Sequence, residues 1–515
     1  MGYAVSSIDP RMSFYITTPI YYVNAEPHLG HAYSTVAADV VARHMRQRGE
    51  DVFFLTGTDE HGEPVALAAE RLGTTPRELA DLNSVRFREL TARIDATNDF
   101  FIRTSDPEHM EGVRRVVQGL YDAGHVYPGT YEGWYCPRCA DFKTENELLE
   151  GNRCAIHHIV LTKEREDNYF FRLSAFQEPL ERLYREQPEF VLPRMRANEA
   201  RSFIEQGLND ISISRSKISW GVPIPWDHRQ VVYVWFDALL NYYMALSYAR
   251  PGEDLTDRFW PASVHLIGKD ILKFHAVIWP AMLMAAGLPL PERLLIHGYL
   301  LMNEEKMSKS LGNVIDPNTV IDLYGTDALR YYLLREVALG QDGSVSTEGF
   351  EARYTSELAN EYGNLASRTL AMIGRYRDGV VPDVPVPPAL VPLFDGLAER
   401  VCARFDRVEV TAALEDVWQV VRALNAYVQD QAPWQMAKDP EAADALDGVL
   451  YGVAEGLRVV SVLLHPFVPR AATLLLEALG REDNAIAGAR YGAVPGGARI
   501  GELAPLFPRR ERAAA

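Results

Sequence analysis

Apolar positions near the start of the chain follow two different periods. Residues 14–18 (FYITT) and 51–57 (DVFFLTG) are short runs that predict two buried strands. Between them, apolar residues recur at helical spacing on one face of a helix that Gly49 ends. A strand, a helix and a second strand in this order favour a right-handed parallel unit. The apolar residues of the helix are Val36, Val40, Val41 and Met45.

The pattern changes further along the chain. Residues 63–127 have helical periodicity, whereas residues 131–168 are polar, contain Cys and Gly and are typical of loops. From about Glu351 onward we expect long amphipathic helices, interrupted by a proline-rich connector at residues 382–388. We therefore predict an α/β domain that is split by an insertion and followed by an all-helical domain. The later strands of the α/β domain are predicted at residues 231–236, 264–268 and 293–300, with a helix between the last two.

Composition narrows the class of protein. The chain has 515 residues, of which 47% are hydrophobic and 24% charged, and this excludes a mostly disordered chain, a collagen-like chain and a disulfide mini-protein. Lys and Arg number 52 and Asp and Glu number 70, so the net charge of −18 excludes indiscriminate binding of nucleic acid but not a local basic stripe for RNA. No signal peptide and no membrane-spanning run is evident, and the four cysteines do not form a disulfide framework. We expect a cytoplasmic protein.

Two histidines flank a glycine where the first predicted helix begins, in residues 27–31 (PHLGH). A helix N-terminus offers unpaired N–H groups and partial positive charge, which suit phosphate. Gly30 lets a ligand approach the backbone closely. His28 and His31 can donate hydrogen bonds to phosphate oxygens as charge develops in a transition state. The alternative is two polar residues with no such role.

Lys306 and Lys309 flank small hydroxyl residues, among them Ser308, in the glycine-punctuated segment 306–313 (KMSKSLGN). Flexible ammonium groups in such a loop could reach a triphosphate. Alone, a loop of this kind is more often simply solvated and basic. Its combination with PHLGH in one predicted α/β domain favours nucleotide binding.

Cys136, Cys139, Cys154 and His157 form two pairs, each with a spacing of two intervening residues. Two such pairs separated by a short loop are typical of a closed, tetrahedral, structural zinc site. His158 offers an alternative register, and a remnant knuckle that holds no ion is the other reading.

Three polar residues follow predicted strands: Asp59, Asp237 and Lys269. Because ligands of doubly wound sheets bind at the carboxyl ends of the strands, we expect these residues to converge on one crevice.

The PHLGH and KMSKS motifs together resemble the signature of class I aminoacyl-tRNA synthetases. The detailed match is to the methionyl-tRNA synthetase family. The resemblance implies ATP-dependent activation of L-methionine to methionyl-adenylate and its transfer to the 3′ end of initiator and elongator tRNA(Met). It implies His28, His31, Lys306 and Lys309 as catalytic residues, joined by Gly30 and Ser308 in binding ATP. It rests on segments spread over nearly the whole chain: TTPIYYVNAEPHLGH, FLTGTDEHG, SWGVPIPWD, YVWFDALLNY, LIGKDILKFHAVIWPA, HGYLLMNEEKMSKSLGN and ANEYGNLASR.

The resemblance also implies an amino-acid pocket. It maps Asp59 onto the residue that pairs with the substrate ammonium. Part of the pocket lies on the predicted helix after Lys269, at the i, i+3, i+4 and i+7 positions of one face, which would otherwise be read as core. At Ile20 and Leu239 some relatives carry Leu and Pro, which we interpret as tolerance of volume. The pocket residues are Ile20, Tyr22, Trp235, Ala238, Leu239, Tyr242, Ile271, Phe274, His275, Ile278 and Trp279.

Asn360, Asn364 and Arg368 are spaced by four in the helical domain, and Trp434 follows a long predicted helix. Amides and a guanidinium can read base edges and phosphates, and an exposed Trp can stack on an unpaired base. Without the resemblance, an exposed polar face is the better interpretation. The resemblance assigns all four side chains to anticodon contact.

The expected architecture is a Rossmann-like class I catalytic domain with a zinc-knuckle insertion, followed by an all-α helical-bundle anticodon-binding domain. We expect one structural Zn²⁺, Mg²⁺ with ATP, no membrane association and a monomer, because the chain lacks the additional oligonucleotide-binding domain with which some relatives dimerise. The expected boundaries are 13–127 and 229–290 for the two catalytic halves, 128–228 for the insertion, 291–355 for a linking subdomain with the KMSKS loop, and 356–515 for the anticodon-binding domain.

Three rival functions are weaker. Valyl, isoleucyl and leucyl enzymes need a large editing domain, because one methylene discriminates by only about 1–3 kcal/mol, and the insertion looks too small for one. A small-molecule nucleotidyltransferase with an HxGH motif has no need of the helical tail. A non-catalytic RNA-binding paralogue would not need both intact motifs.

Overall fold

The computed structural model describes residues 13–137, 141–143, 145–302, 305–306 and 316–509. The chain divides into two units, each assembled from separated stretches. Unit 1 takes its described residues from Met1–Pro27, Val52–Ala92 and Asn98–His297, and unit 2 from His28–Asp51, Arg93–Thr97 and Gly298–Ala515. No helix in the described ranges is long and apolar enough to cross a membrane.

Most of the described strands begin before residue 300. In chain order they are β1 (Ser13–Tyr22), β2 (Asp51–Asp59), β3 (Phe100–Arg103), β4 (Val126–Cys136), β5 (Asp141–Lys143), β6 (Leu148–Leu149), β7 (Arg153–Cys154), β8 (Thr162–Phe171), β9 (Val191–Leu192), β10 (Ile211–Ser212), β11 (Ser214–Arg215), β12 (Pro223–Ile224), β13 (Asp227–Val232), β14 (Val264–Gly268), β15 (Leu294–His297), β16 (Leu300–Met302), β17 (Glu305–Lys306) and β18 (Gly343–Val345).

The helices dominate the C-terminal half. They are α1 (Leu29–Gln47), α2 (Glu63–Leu72), α3 (Pro76–Arg93), α4 (Pro107–Asp122), α5 (Gln177–Glu186), α6 (Arg194–Glu205), α7 (Val234–Leu239), α8 (Asn241–Tyr248), α9 (Thr256–Phe259), α10 (Trp279–Ala286), α11 (Pro317–Tyr324), α12 (Thr326–Glu336), α13 (Thr347–Arg353), α14 (Asn364–Tyr376), α15 (Val391–Phe394), α16 (Leu397–Asp406), α17 (Val410–Gln431), α18 (Pro433–Met436), α19 (Ala443–Leu464) and α20 (Pro469–Ala478). Short 3₁₀ turns lie at Glu145–Glu147, Leu173–Phe176, Lys269–Ile271, Pro440–Ala442 and Ile486–Gly488, and π-helical stretches at Phe274–Ile278 and Tyr354–Gly363.

A six-stranded sheet is the largest among the described residues, with strand order β3-β2-β1-β14-β15-β9. The pairs β2–β3, β1–β14, β14–β15 and β15–β9 are parallel. Ile16 pairs with Val264 at its centre, and both side chains are buried. The two strands predicted in the first sixty residues, β1 and β2, are confirmed, and they are neighbours in this sheet. The short strand β3 was missed inside a region expected to be helical, because four residues are too few to establish a period.

The prediction of a strand at residues 231–236 is wrong. β13 ends at Val232 and belongs to a three-stranded antiparallel sheet with β11 and β12, and α7 begins two residues later at Val234. A short run of apolar residues does not distinguish a strand from a buried helix. Asp237 therefore lies on a helix and not at the carboxyl end of a parallel strand.

The segment expected to be loop-rich, residues 131–168, contains a long antiparallel ribbon. β4 and β8 pair from Val126 with Phe171 to Tyr135 with Thr162, within a sheet of order β10-β8-β4-β5. Its polar and charged residues are those of an exposed ribbon, in which only one face needs apolar side chains.

Unit 2 contains α1 and the helices from α11 to α20. Asp39 of α1 and Arg330 of α12 form an ion pair of 2.7 Å, and both side chains are fully buried. Arg330 also donates to the carbonyls of Ile94, Pro466 and Phe467. Asp39 accepts from the backbone N–H and the hydroxyl of Thr97. This network links α1, the 93–97 stretch, α12 and the turn before α20.

The buried pair predicts a large stability effect. Asp39→Ala leaves the Arg330 guanidinium buried without its counter-ion, and removing one partner of such a pair costs about 3–5 kcal/mol. We expect the unfolding midpoint of unit 2 in urea to fall accordingly. Arg407→Ala is the control, because Arg407 forms an exposed ion pair with Glu409 in the same unit and should leave the midpoint unchanged. Equal midpoints for the two variants would contradict this account.

Candidate functional site

Asp59 is the last residue of β2, and its side chain is buried within unit 1. The backbone N–H of His61 donates to it. Its Oδ1 atom has no hydrogen-bond partner within the described part of the chain. Burial, and then the nearby charge of Asp237, raises the pKa of Asp59 well above its usual value. A buried acceptor of this kind is suited to a cationic ligand.

Several aromatic rings of unit 1 pack against one another and form an aromatic wall. Trp235 of α7 stacks on Phe274 at a centroid distance of 3.9 Å, and Tyr22 meets Trp235 edge-on at 6.2 Å. The indole Nε1 of Trp235 is buried and has no hydrogen-bond partner among the described residues. The arrangement provides a flat apolar surface with a polar edge.

His275 is held in one tautomer by two neighbours. Its Nδ1 lies 3.0 Å from the carbonyl of Ile271, so Nδ1 carries the proton, and its Nε2 accepts from the hydroxyl of Tyr242 at 2.8 Å. Burial lowers the pKa of His275 to about 4. The ring is therefore neutral near neutral pH. Tyr242 is itself oriented by Tyr15, whose hydroxyl donates to the Tyr242 carbonyl.

The helix predicted after Lys269 has an irregular first half. A 3₁₀ turn at Lys269–Ile271 and a π-helical stretch at Phe274–Ile278 precede α10. The i, i+3, i+4, i+7 stripe therefore does not lie on one regular α-helix, although its members remain together. A π-helical stretch widens the turn, and such stretches are frequent at functional sites.

The pocket residues proposed from sequence collect in unit 1. The apolar cluster that contains them has Leu239, Tyr242, Phe274, Ile278 and Trp279 buried, with Ile20, Tyr22, Trp235 and Ile271 packed against it. Ala238 and His275 are also buried. Lys269 is half-buried, directly after β14. Asp237 contacts two histidines, His61 and His109, which sequence reasoning missed. Neither histidine has a spacing that would have identified it.

In unit 2, the PHLGH segment begins α1. His28 is the N-cap, and its Nδ1 accepts from the N–H of Gly30 at 3.1 Å. The Nδ1 of His31 accepts from the N–H of His28 at 3.0 Å, and the two rings stack at 3.8 Å. Because both Nδ1 atoms accept, each neutral ring carries its proton on Nε2. A Cβ on Gly30 would lie 2.9 Å from the His28 ring, so any larger residue there would displace this ring.

The KMSKS segment is only partly described. Lys306 lies in β17, whose backbone pairs with Leu301 of β16. Ser308 and Lys309 lie outside the described residues.

Three of the four expected metal ligands come together. The Nδ1 of His157 lies 3.9 Å from the Sγ of Cys136 and 3.9 Å from the Sγ of Cys154. All three ligand atoms lie within 4.8 Å of one another, as ligands around one tetrahedral ion would. Two thiols and an imidazole are a donor set that zinc prefers. Cys139 lies outside the described residues. His157, and not the exposed His158, is the histidine that meets the cysteines.

The residues expected to contact an anticodon lie in the helical part of unit 2. The guanidinium of Arg368 lies over the ring of Trp434 at 5.4 Å, and both side chains are half-buried. Asn364, the first residue of α14, is exposed. Asn360 accepts a hydrogen bond from Arg509 and lies in the π-helical stretch, so its relation to Asn364 departs from regular α-helical spacing.

Two family models match the chain. The model described as "tRNA synthetases class I (M)" matches residues 14–152 and 143–370. The model described as "Anticodon binding domain of methionyl tRNA ligase" matches residues 389–496.

Curated relatives and solved structures agree with these models. The methionine–tRNA ligase of Streptomyces coelicolor is 47% identical over 523 residues, covering 97% of this chain and 97% of that relative. The methionine–tRNA ligase of Bacillus subtilis is 41% identical, covering 97% of this chain and 78% of its own length. A structure of Mycobacterium tuberculosis methionyl-tRNA synthetase in complex with methionyl-adenylate has a TM-score of 0.93 at 41% identity, covering 96% of this chain and 100% of that one.

Proposed function

The chain belongs to the methionyl-tRNA synthetase family and is a methionine–tRNA ligase, and from this premise we propose how its own residues carry out the reaction. Its catalytic domain is of class I, with a parallel sheet, and a helical anticodon domain follows. The observation that carries the proposal is the buried Asp59 carboxylate, whose Oδ1 has no partner among the described residues and which lies in the unit that holds the aromatic wall.

In this proposal Asp59 binds the α-ammonium of methionine. The charge of the substrate compensates a carboxylate whose pKa burial and Asp237 raise. A thioether forms no strong hydrogen bond, so the side chain is selected by shape and by sulfur–aromatic contact with Tyr22, Trp235 and Phe274. The neutral His275, held by Tyr242, contributes a polar edge without a charge. The remaining pocket residues are Ile20, Ala238, Leu239, Ile271, Ile278 and Trp279.

ATP is bound by the N-terminus of α1 and by the KMSKS segment. The Nε2–H groups of His28 and His31 donate to phosphate oxygens, and Gly30 permits close approach of the chain. Lys306, Ser308 and Lys309 complete the phosphate contacts. Mg²⁺ accompanies ATP as part of the substrate and offsets phosphate charge.

The chemistry then proceeds in two steps. The methionine carboxylate attacks the α-phosphorus of ATP, and pyrophosphate leaves. The terminal ribose hydroxyl of tRNA attacks the carbonyl of the adenylate, and AMP leaves. The protein contributes positioning and positive field, chiefly through His28, His31, Lys306 and Lys309.

The remaining proposed roles concern tRNA binding, the division into domains and the structural metal. Asn360, Asn364, Arg368 and Trp434 contact the anticodon of initiator and elongator tRNA(Met), and residues 356–515 form the anticodon-binding domain. The catalytic halves are 13–127 and 229–290, the insertion is 128–228 and the linking subdomain is 291–355. Cys136, Cys139, Cys154 and His157 hold one structural Zn²⁺. The enzyme works as a monomer in the cytoplasm, where tRNA is charged.

Methionine-dependent exchange of pyrophosphate into ATP tests the activity directly. We expect exchange with methionine and a far slower rate with valine, isoleucine or leucine. Equal exchange with another aliphatic amino acid would contradict the assignment.

Asp59→Asn tests the ammonium anchor. Because the ammonium is common to all amino acids, the variant should raise KM for methionine and for norleucine by the same factor, with KM for ATP unchanged. A loss confined to methionine would mean that Asp59 reads the side chain.

Metal analysis tests the knuckle. Purified protein should hold about one zinc per chain. His157→Ala should release it, whereas His158→Ala, at the neighbouring exposed position, should not. Cys402→Ser is a second control, because that cysteine lies in α16 outside the cluster. Zinc retained in His157→Ala, or absent from wild type, would contradict the site.

Trp434→Ala tests the anticodon contact. Loss of one base stacked on an aromatic ring costs about 1–3 kcal/mol, which is roughly a ten- to hundredfold loss in tRNA aminoacylation. Pyrophosphate exchange needs no tRNA and should remain normal. Trp434→Phe keeps an aromatic face and should retain most of the charging activity. A parallel fall of both activities would identify Trp434 as a packing residue.

A further inference from the structure

Three ionisable side chains, those of Asp237, His61 and His109, meet in the interior of unit 1. The carboxylate of Asp237 is completely buried. Its Oδ2 lies 2.6 Å from Nδ1 of His61, and its Oδ1 lies 2.7 Å from Nε2 of His109. His61 and His109 are 2% and 0% exposed, so the whole cluster is shielded from water.

The cluster joins three elements that border the methionine pocket. His61 follows Asp59 by two residues, and its backbone N–H donates to the Asp59 carboxylate. Asp237 lies on α7, two residues after Trp235. His109 lies in α4. One carboxylate thus connects the end of β2, the pocket helix and a supporting helix.

The segment after Asp59 is also held from its other side. The N–H of Gly62 donates to the carbonyl of Trp220, and the Trp220 indole donates to the carbonyl of Glu60. The Trp220 ring packs edge-on against His61 at 5.3 Å. The side chain of His61 therefore has little room to leave Asp237.

The hydrogen bonds define where the protons lie. Although burial alone would raise it, the charge interaction with His61 and the hydrogen bonds from both imidazoles lower the pKa of Asp237 to about 2. An ionised carboxylate only accepts, so His61 donates through Nδ1 and His109 through Nε2. The Nδ1 of His109 is buried without a partner among the described residues.

We propose that His61, Asp237 and His109 form a positioning triad for the methionine site. The triad holds the ammonium-binding carboxylate of Asp59 and the ring of Trp235 in the arrangement that binds the substrate. The negative charge of Asp237 also repels the Asp59 carboxylate. Together the two carboxylates favour the binding of a cation between β2 and α7. This inference rests on the proposed role of Asp59.

A buried triad of this kind needs a reason other than stability. Replacing buried ionic groups by apolar residues of similar volume is often neutral or stabilising, whereas removing one partner is costly. The charged and titratable groups that interact with Asp59 are Asp237, Glu60, His61 and Tyr242, and Arg103 pairs with Glu60. Of these, Asp237 has the largest charge effect on Asp59.

Two variants measured by pyrophosphate exchange test the triad. Asp237→Asn should raise KM for methionine about ten- to a hundredfold through misplacement of the anchor, with KM for ATP unchanged.

Methionine binding needs ionised Asp59, so kcat/KM for methionine falls as the pH drops through the raised pKa of Asp59. Removing the Asp237 charge should move this acid limb to lower pH. His109→Phe removes a hydrogen-bond donor from Asp237 but keeps the negative charge of Asp237. This variant should therefore move the acid limb to higher pH.

The opposite shifts distinguish positioning and charge from simple damage to the fold. Unchanged methionine KM in both variants, or acid limbs that move together, would overturn the proposal. If Asp237→Asn does not fold, as judged by its circular dichroism, the direction of the His109→Phe shift decides. Asp327→Asn is the control, because this buried carboxyl accepts from Ala471 N–H in unit 2 and should leave both KM values unchanged.

Asp59→Asn, measured alongside, separates this inference from the proposed function. If Asp59→Asn raises the methionine KM and Asp237→Asn does not, only the triad is wrong. If Asp59→Asn has no effect on it, the anchor and the triad are both wrong.

Discussion

A buried carboxylate that has no counter-ion among the described residues imposes the main constraint on the proposed amino-acid site. Burying an anion in a protein interior is unfavourable unless a cation or several hydrogen bonds compensate it. Among the described residues, one backbone N–H, that of His61, donates to Asp59, and the nearby Asp237, which raises the pKa of Asp59, is itself an anion. In the proposed role of Asp59, the substrate ammonium provides the missing charge, and any amino acid meets this requirement before its side chain is selected.

The rest of the pocket follows from that requirement. In the proposed site Asp59 binds the α-ammonium, and the methionine side chain has no charged group, so the wall around it can be apolar and aromatic. Trp235 stacked on Phe274 supplies area, burial keeps His275 neutral, and the hydroxyl of Tyr242 donates to its Nε2. A charged histidine there would favour the wrong amino acids. In unit 2 a different constraint applies: Asp39 and Arg330 bury opposite charges together and thereby tie α1, which begins with the PHLGH turn, to α12.

Sequence reasoning succeeded where local chemistry determines local structure. Apolar runs predicted β1, β2, β14 and β15, and the PHLGH segment was predicted at the start of the first helix, where His28 and His31 indeed form the cap. It failed where tertiary packing decides. Residues 234–236 are as apolar as a strand yet begin α7, and the helix after Lys269 contains a π-helical stretch that no periodicity revealed. The partners of Asp237 come from residues 61 and 109, and such long-range pairing leaves no spacing to read.

Because the substrate ammonium is proposed to pair with the ionised form of Asp59, methionine binding should ionise this carboxyl. Calorimetric titration of methionine in buffers of different ionisation enthalpy, between about pH 5 and 8, measures the protons released on binding. We expect release of up to about one proton at the acid end, where the raised pKa leaves part of Asp59 protonated. In Asp59→Asn this release should disappear. Binding without proton release across the whole range, or release that persists in Asp59→Asn, would show that Asp59 is not the ammonium anchor.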